Sequence, residues 1–359
     1  VGIIAEYNPF HNGHKYQIEQ AKKTTGADIV IIVMSGNWVQ RGQPAIIDKW
    51  QRAEIALNNG ADIVLELPVQ SAVQPADIFA QKAVEILANF KCEWLAFGSE
   101  HPELDFEGLA KKDLSNSKFV NNDYKQSYAG LIREAIDGVT GQRISDPNDV
   151  LALNYAIANN SMEHHMQLVP ILRKGSNHHD KELNHDIKMA SASSIRDAIE
   201  TNRIDETIKF LPTAYDKSVF NKICSWADFW PLLKYKVTTS SIHELENIYQ
   251  MNEGLEYRFK KFIYQSNTFD EFIYLIKSKR YTYSRLRRLC VYTLLNWKKD
   301  DDLGSQYARI LAFNKVGNGY LNHIKKDINL PIITKIDKHL SENELKFDVN
   351  AGKIYESIN

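Results

Sequence analysis

Two histidines three residues apart, His11 and His14, enclose Gly13 shortly after an apolar, β-branched run at the start of the chain. A turn from a buried strand into a helix offers free backbone N–H groups and the positive end of a helix dipole, so it attracts phosphate. The glycine allows close approach to a ligand. Imidazoles there can donate to a triphosphate and stabilise the transition state of nucleotidyl transfer. The pattern predicts a nucleotide site with His11 and His14 as catalytic residues.

The same pair has two plainer interpretations. Two histidines three apart are most often structural, and histidine is also a common metal ligand. No carboxylate or third histidine follows at a ligand spacing. The position directly after a buried strand therefore favours the nucleotide interpretation, and we predict no protein-bound metal.

A second cluster, Ser193, Ser194 and Arg196, opens a later helical stretch. A serine there can cap the helix and leave N–H groups for an anion, while the arginine can grip phosphate with two parallel hydrogen bonds. Alone, the cluster favours a simple helix cap. Together with the histidines it resembles the two-part signature of class I aminoacyl-tRNA synthetases and small nucleotidyltransferases. We therefore predict that Arg196 is catalytic and that both serines contact the nucleotide.

Other polar residues follow predicted strands, where ligands of parallel sheets bind. Gly98 could let an adenine or a ribose lie against the backbone, and Arg173 is a candidate phosphate ligand. Asn148 precedes a helix and could be only its cap. The loop at 34–42 carries glycines, an amide and an arginine, although an ordinary turn is the alternative. The sequence at 178–180, His-His-Asp, is interpreted as a solvated loop.

The elements that must position these residues alternate between short β-branched runs and amphipathic stretches. The predicted strands are 1–5, 28–34, 62–67, 94–97 and 168–172. The predicted helices are 14–23, 49–58, 77–90, 151–159 and 192–200. Continuous apolar strands between helices are typical of a parallel sheet buried on both faces. The pattern predicts an α/β, doubly wound, Rossmann-like catalytic domain over 1–212, and a mostly α-helical domain with almost no strand over 213–359.

Composition limits the possible environments. The chain has 359 residues, a formal net charge of -1 and three separated cysteines. We therefore expect no disulfide framework. A reducing, cytoplasmic location is expected instead. No apolar run reaches the ~18 residues of a membrane span.

A basic stretch at 274–299 contains eight lysines or arginines, no acid, and several aromatic residues. Such a stretch suits an RNA backbone and unstacked bases. A solvated helical face with a buried leucine stripe is an equally good interpretation of these residues alone. The candidate RNA-binding residues are Lys277, Lys279, Arg280, Arg285, Arg287 and Arg288.

Several motifs together resemble the bacterial tRNA(Met) cytidine acetate ligase family. They are the run from Glu6 to His14, the 34–42 loop, Glu66-Leu67-Pro68, the run at 96–100 and the run at 191–196. The similarity continues into the helical half at 277–282. Two runs depart from the family pattern, at 149–152 and 175–180, and both leave Asn148 and Arg173 in place.

The resemblance implies a two-step reaction. ATP, with Mg²⁺ on its phosphates, activates acetate to acetyl-adenylate. The acetyl group then passes to N4 of the wobble cytidine, position 34, of elongator tRNA(Met), giving N4-acetylcytidine. The nucleotide-binding residues that the resemblance implies are Ile4, Ala5, Glu6, Tyr7, Asn8, Pro9, Phe10, His11, Asn12, Gly13, His14, Lys15, Tyr16, Gln17, Gly98, Asn148 and Arg173.

Two other functions stay open at this stage. A small-molecule adenylyltransferase making a coenzyme precursor would need no basic helical half. A non-catalytic RNA-binding protein would need neither the histidine pair nor Arg196. The sequence locates neither an acetate pocket nor a base for acetyl transfer, and it does not explain how one tRNA is selected.

Overall fold

A seven-stranded sheet organises the computed structural model, which describes residues 1–111, 146–173, 189–213, 215–301 and 307–358. Its strands are β1 (Gly2–Ala5), β2 (Ile31–Ser35), β5 (Ile63–Leu67), β6 (Trp94–Ser99), β7 (Gln167–Leu172), β8 (Ala308–Phe313) and β9 (Ile332–Ile333). Their order across the sheet is β7-β6-β1-β2-β5-β8-β9. The first five strands are mutually parallel, and β2 and β5 are buried along their whole length.

Helices cover both faces of this sheet. They are α1 (Asn12–Thr25), α2 (Lys49–Asn58), α3 (Val69–Ala72), α4 (Ala76–Asn89), α5 (Phe106–Lys111), α6 (Pro147–Asn160), α7 (Ala192–Glu200) and α8 (Ile204–Thr207). One apolar cluster packs α4 and α6 against one face, through Phe79 and Leu153 among others. A second packs α1, α2 and α7 against the other, through Ile18, Ala53 and Ile195. The predicted doubly wound α/β fold is confirmed.

The chain places β2 and β5 on one side of β1 and β6 and β7 on the other. This reversal beside β1 is a topological switch point, where parallel α/β sheets open a crevice at the carboxyl ends of their strands. The turn after β1 lies at that crevice, and it carries the predicted histidine motif.

The C-terminal half is mostly helical, as predicted. Its helices are α9 (Trp226–Thr239), α10 (Ile242–Glu246), α11 (Leu255–Ile263), α12 (Phe269–Ile276), α13 (Tyr283–Leu294), α14 (Lys315–Ile324), α15 (Lys338–Glu342) and α16 (Lys346–Glu356). Their core includes Trp38, Val69 and Val73 from the N-terminal half, so the two halves pack closely. Among the described residues, no helix is long and apolar enough to cross a bilayer.

The expectation of an almost strand-free C-terminal half is wrong at β8 and β9. β8 pairs antiparallel with β5, with Ile310 opposite Leu65 and Arg309 opposite Glu66. Its apolar residues gain burial by extending the sheet, and their short run gave no clear strand signal beside long helical patterns. The division at 212/213 stays a prediction, and the second half also contributes two strands to the first.

A small hairpin begins within the 34–42 loop and ends just beyond it. Its strands are β3 (Trp38–Val39) and β4 (Gln43–Pro44), which pair antiparallel. Between β6 and Asn148 the structure describes residues up to 111, which include α5, and residues from 146 onwards. The sequence 178–180 lies outside the described residues.

Candidate active site

The two histidines build the N-terminus of α1 between them. His11 is the N-cap residue, and its Nδ1 accepts the backbone N–H of Gly13 at 3.0 Å. His14 Nδ1 in turn accepts the backbone N–H of His11 at 3.3 Å. The rings stack with centroids 3.8 Å apart. Because each Nδ1 acts as an acceptor, each neutral ring carries its proton on Nε2, which is then a donor for a ligand.

Burial keeps both rings uncharged. Burial first, and then the positive charges of the neighbouring Arg173 and Arg196, lower the pKa of His11 to about 3. The pKa of His14 also lies well below its usual value, first through burial and then through His11 and Arg173. At neutral pH the pair therefore supplies hydrogen-bond donors, and the positive charge of the site comes from the arginines.

The turn before α1 is held by buried groups. Tyr7 has a positive φ of 48° and is fully buried. Its ring packs edge-on against the His14 ring, with the ring centroids 4.8 Å apart. Arg52, also fully buried, donates to the carbonyl oxygens of Glu6 at 2.6 Å and Ser35 at 3.0 Å. One guanidinium thus fastens the ends of β1 and β2 together and fixes the direction in which the motif leaves the sheet.

Arg196 connects α7 to the same turn. Its Nη1 donates to the carbonyl oxygen of Asn8 at 2.7 Å. Ser191 caps α7 by accepting the N–H of Ser194 at 3.1 Å, so Ser194 is occupied inside the cap while Ser193 faces the cavity. The predicted pairing of the two motifs in space is present.

Asn148 and Arg173 meet at the carboxylate of Glu100, and Gly98 lies beside Arg173. Glu100 Oε1 accepts a short hydrogen bond from Asn148 Nδ2 and lies 3.3 Å from Arg173 Nε. A Cβ on Gly98 would lie 3.2 Å from the Arg173 side chain, so the absence of a side chain there lets the arginine pack on the strand end. Buried Asp149 supports this arrangement by accepting the Glu100 N–H at 3.0 Å.

These groups surround one cavity of about 310 Å³ at the switch point. The predicted site residues that line it are Ile4, Ala5, Glu6, His11, His14, Gln17, Gly98, Asn148, Arg173, Ser193 and Arg196. The predicted residues that do not line it are Tyr7, Asn8, Pro9, Phe10, Asn12, Gly13, Lys15, Tyr16 and Ser194. The first four of these are buried behind the turn, whereas Asn12 and Lys15 line a separate cavity beside Pro212.

Sequence reasoning missed part of the lining. Gln40, Arg41 and Gln43 come from the hairpin, and Phe79 and Tyr155 come from α4 and α6. The hairpin residues lie in or next to a loop that the sequence had singled out, and Arg41 was its one cation. The two aromatic residues carried no signal, because helical periodicity shows that a residue is buried but not that it borders a cavity.

The basic stretch lies beside the hairpin. A Cβ on Gly42 would lie 2.2 Å from the backbone nitrogen of Arg288, so the turn and α13 are in direct contact. Arg288 itself is 8% exposed, and its Nη1 lies 3.5 Å from the Gln40 carbonyl oxygen. Lys279 and Arg280 are exposed, and Arg285 and Arg287 are half-buried.

One group of described side chains has atoms close enough to share a metal ion: His101, Asp146 and Asp149. Asp149 is already used internally, since it accepts from the Ser99 hydroxyl at 2.6 Å and faces His101 Nδ1 at 2.7 Å. These contacts indicate that His101, Asp146 and Asp149 support the end of β6.

The fold and the site together define a class of protein. A doubly wound sheet, a histidine-capped helix at its switch point and an arginine from a later helix are the parts of a nucleotidyltransferase. The model of the HIGH Nucleotidyl Transferase family matches residues 1–359.

Comparison with known proteins narrows the class. A tRNA(Met) cytidine acetate ligase of Leuconostoc mesenteroides is 44% identical over 370 residues, which cover 100% of this chain and 94% of the relative. One of Ligilactobacillus salivarius is 45% identical, covering 100% of this chain and 96% of the relative. The chain belongs to the tRNA(Met) cytidine acetate ligase family, which confirms the resemblance seen in the motifs.

Two crystal structures of Thermotoga maritima TmcAL are similar along almost the whole chain. The apo form has a TM-score of 0.88, and the form bound with alpha-thio ATP has one of 0.86. Each is 29% identical in sequence and covers 99% of this chain and 94% of its own.

Proposed function

We propose that this protein is an ATP-dependent acetate ligase. It forms acetyl-adenylate and transfers the acetyl group to N4 of the wobble cytidine of elongator tRNA(Met). The observation that carries the proposal is the convergence of His11, His14, Arg173 and Arg196 on one cavity at the switch point. The names of the relatives and the ATP analogue bound by the Thermotoga protein support the choice of substrates.

In the first step a carboxylate oxygen of acetate attacks the α-phosphorus of ATP. The bond from that phosphorus to the β-phosphate oxygen breaks, and pyrophosphate leaves with the negative charge. This step needs positioning and charge neutralisation more than covalent help. The imidazole Nε2–H groups and the Arg173 and Arg196 guanidinium groups supply both.

Magnesium enters on the nucleotide in this proposal. Mg²⁺ keeps several waters and is held mainly by substrate phosphates with one or two carboxylates. Among the described residues that line the cavity, Glu6 is the single carboxylate, and the charged neighbours are arginines. The described lining of the cavity therefore holds no dedicated magnesium cage, and Mg²⁺ would be held mainly by the phosphates.

The RNA surface of the proposal is the basic stretch around α13. Arg285 lies over the Tyr281 ring at 4.7 Å, and Arg287 lies over the Tyr283 ring at 5.8 Å. Cations stacked on aromatic rings present charge and a flat face together, which suits phosphate and unstacked bases. Arg288 is the exception, since its burial favours support of the hairpin. The reaction would take place in the cytoplasm, where the tRNA is.

Pyrophosphate release from ATP tests the activation step. Release should require acetate and should not occur with phosphorylated metabolites. Release only with a phosphorylated metabolite would replace the proposal with a small-molecule adenylyltransferase. Mass analysis of tRNA nucleosides from a deletion strain tests the second step, since N4-acetylcytidine should disappear from the wobble position.

His14→Ala separates the nucleotide site from the RNA surface. We expect it to abolish acetate-dependent pyrophosphate release while the dissociation constant for tRNA stays within about threefold. His323→Ala, an exposed histidine on α14, is the matched control and should retain both. Equal losses of activation and of tRNA affinity in His14→Ala would contradict separate surfaces.

A further inference from the structure

Glu6 is the acidic group of the cavity. It follows β1 directly, is half-buried, and is the only acidic residue among the described residues that line the cavity. Its Oε1 accepts the backbone N–H of Gln40 at 3.0 Å, and its own carbonyl oxygen accepts from Arg52 at 2.6 Å. The backbone and one carboxylate oxygen are therefore held in place, and within the described part of the chain no hydrogen bond occupies Oε2.

The charge of Glu6 does not suit the binding of a triphosphate. Like charges at close range repel, and more strongly where water is partly excluded. Burial lowers the pKa of Arg196, and the charge of Glu6 opposes that shift. Burial raises the pKa of Tyr155, and the charge of Glu6 adds to that shift. The field of Glu6 therefore reaches both of these side chains. Direct contact with the ATP phosphates therefore does not account for a carboxylate at this position.

Glu6 also marks the side of the cavity that borders the basic helix. Its partner Gln40 belongs to the hairpin, and Gly42 of that hairpin contacts the backbone of Arg287 and Arg288 in α13. An RNA bound along α13 would therefore approach the cavity past Gln40 and Glu6. The target base would reach the acetyl-adenylate from this side.

The two half-reactions differ in their need for a base. Activation moves no proton. In the transfer step the N4 nitrogen attacks the acetyl carbonyl carbon, the C–N bond forms, the C–O bond to AMP breaks, and the amine loses one proton. The imidazoles cannot accept it, because each uses its Nδ1 lone pair as a hydrogen-bond acceptor and carries a proton on Nε2.

We infer that Glu6 is the general base of acetyl transfer, accepting the N4 proton on its free carboxylate oxygen. The inference rests on the proposed function. The proton then passes to water once AMP and the acetylated base have left. Glu6 therefore acts only in the second half-reaction, at the border between the nucleotide cavity and the RNA surface.

Glu6→Gln tests the inference, because the amide oxygen can still accept the Gln40 N–H while the base is lost. Two rates are measured: acetate-dependent exchange of pyrophosphate into ATP, and single-turnover formation of N4-acetylcytidine on tRNA(Met). General-base catalysis typically contributes about 10²–10⁴-fold. We expect the ratio of transfer to exchange to fall at least about 100-fold, and Glu6→Asp to restore part of it.

Glu100→Gln is the matched control. It removes a carboxylate beside the cavity, the one that holds Asn148 and Arg173, so it should slow both half-reactions and leave their ratio within about threefold. An unchanged ratio in Glu6→Gln, or equal losses of both rates, would overturn the inference and leave the proposed function standing. Absence of acetate-dependent exchange in the wild-type protein would overturn the proposed function, and the inference with it.

Discussion

At the scale of single residues, the site combines neutral donors with fixed cations. His11 and His14 cap a helix, which Ser, Thr, Asp or Asn usually do, and their Nε2–H groups remain available to a ligand. Burial prevents both rings from charging. The arginines can then neutralise a triphosphate without added repulsion from imidazolium groups. Residue types and spacing predicted a nucleotide site at this turn, but the mutual capping and the stacking of the rings are visible only in the tertiary structure.

The low pKa of His11 predicts a loss of stability in acid. The ring titrates near 6.5 in the unfolded chain and at about 3 in the fold. As the pH falls through this window, only the unfolded chain takes up the proton, so the free energy of unfolding decreases. His11→Asn keeps a cap acceptor and does not titrate. Between pH 7 and pH 5, the free energy of unfolding of the wild type, measured in urea, should fall by about 2 kcal/mol more than that of the variant. Parallel profiles would contradict a neutral, buried His11.

At the scale of elements, the hairpin of β3 and β4 joins the nucleotide cavity to α13. Its residues Gln40 and Arg41 line the cavity, and its Gly42 packs on the helix backbone. The sequence marked this segment as a loop near a ligand, because glycine and amide residues are common there. It could not show the contact with α13, which lies more than two hundred residues further along the chain.

Gly42→Ala tests this junction. Gly42 has a φ of 73°, and an added Cβ would lie 2.2 Å from the backbone nitrogen of Arg288. Gly26 has a similar φ of 66°, but no atom lies within 4 Å of its added Cβ, so Gly26→Ala isolates the conformational cost. We expect Gly42→Ala to lower the free energy of unfolding, measured in urea, by about 2 kcal/mol more than Gly26→Ala does. Pyrophosphate release should also be slower in Gly42→Ala. Equal losses would argue against tight contact between the hairpin and α13.

At the scale of the whole molecule, the C-terminal half completes the sheet and fastens the hairpin. Glu66, at the end of β5, forms ion pairs with Lys49 Nζ at 2.7 Å and with Arg309 Nη1 of β8 at 3.1 Å. All three side chains are largely buried. In α16, Tyr355 donates to the Ala45 carbonyl oxygen at 2.6 Å. The helical half therefore supports the sheet as well as carrying the proposed RNA surface.

Glu66→Gln should destabilise the whole fold. It leaves two buried cations without their carboxylate, and breaking a buried ion pair from one side costs about 3–5 kcal/mol. Glu107→Gln removes the partner of Lys111 at 2.7 Å, but both of those side chains are exposed, so its effect should stay below about 1 kcal/mol. Urea unfolding of both variants measures the difference. A loss in Glu66→Gln as small as that of the control would mean that the cluster does not join β5 to β8.

RNA binding also belongs to this scale. Replacing Arg285 and Arg287 together by glutamate should raise the dissociation constant for tRNA and reduce its dependence on salt, because fewer phosphates are neutralised. Lys326→Glu, in the exposed segment after α14, is the control and should change neither quantity. If the dissociation constant depends on salt concentration equally steeply in the wild type and the double variant, the RNA binds elsewhere.

The sequence by itself determined what is encoded within a few residues. Alternating strand and helix patterns predicted the parallel sheet, and His11 to His14 marked the turn at its switch point. Tertiary structure decided what depends on residues distant in the chain: the pairing of β8 with β5, the contact of Gly42 with α13, and the placement of Phe79 and Tyr155 around the cavity. Local patterns reflect backbone propensity and burial, whereas these contacts form only when long loops close and the two halves bury their faces against each other.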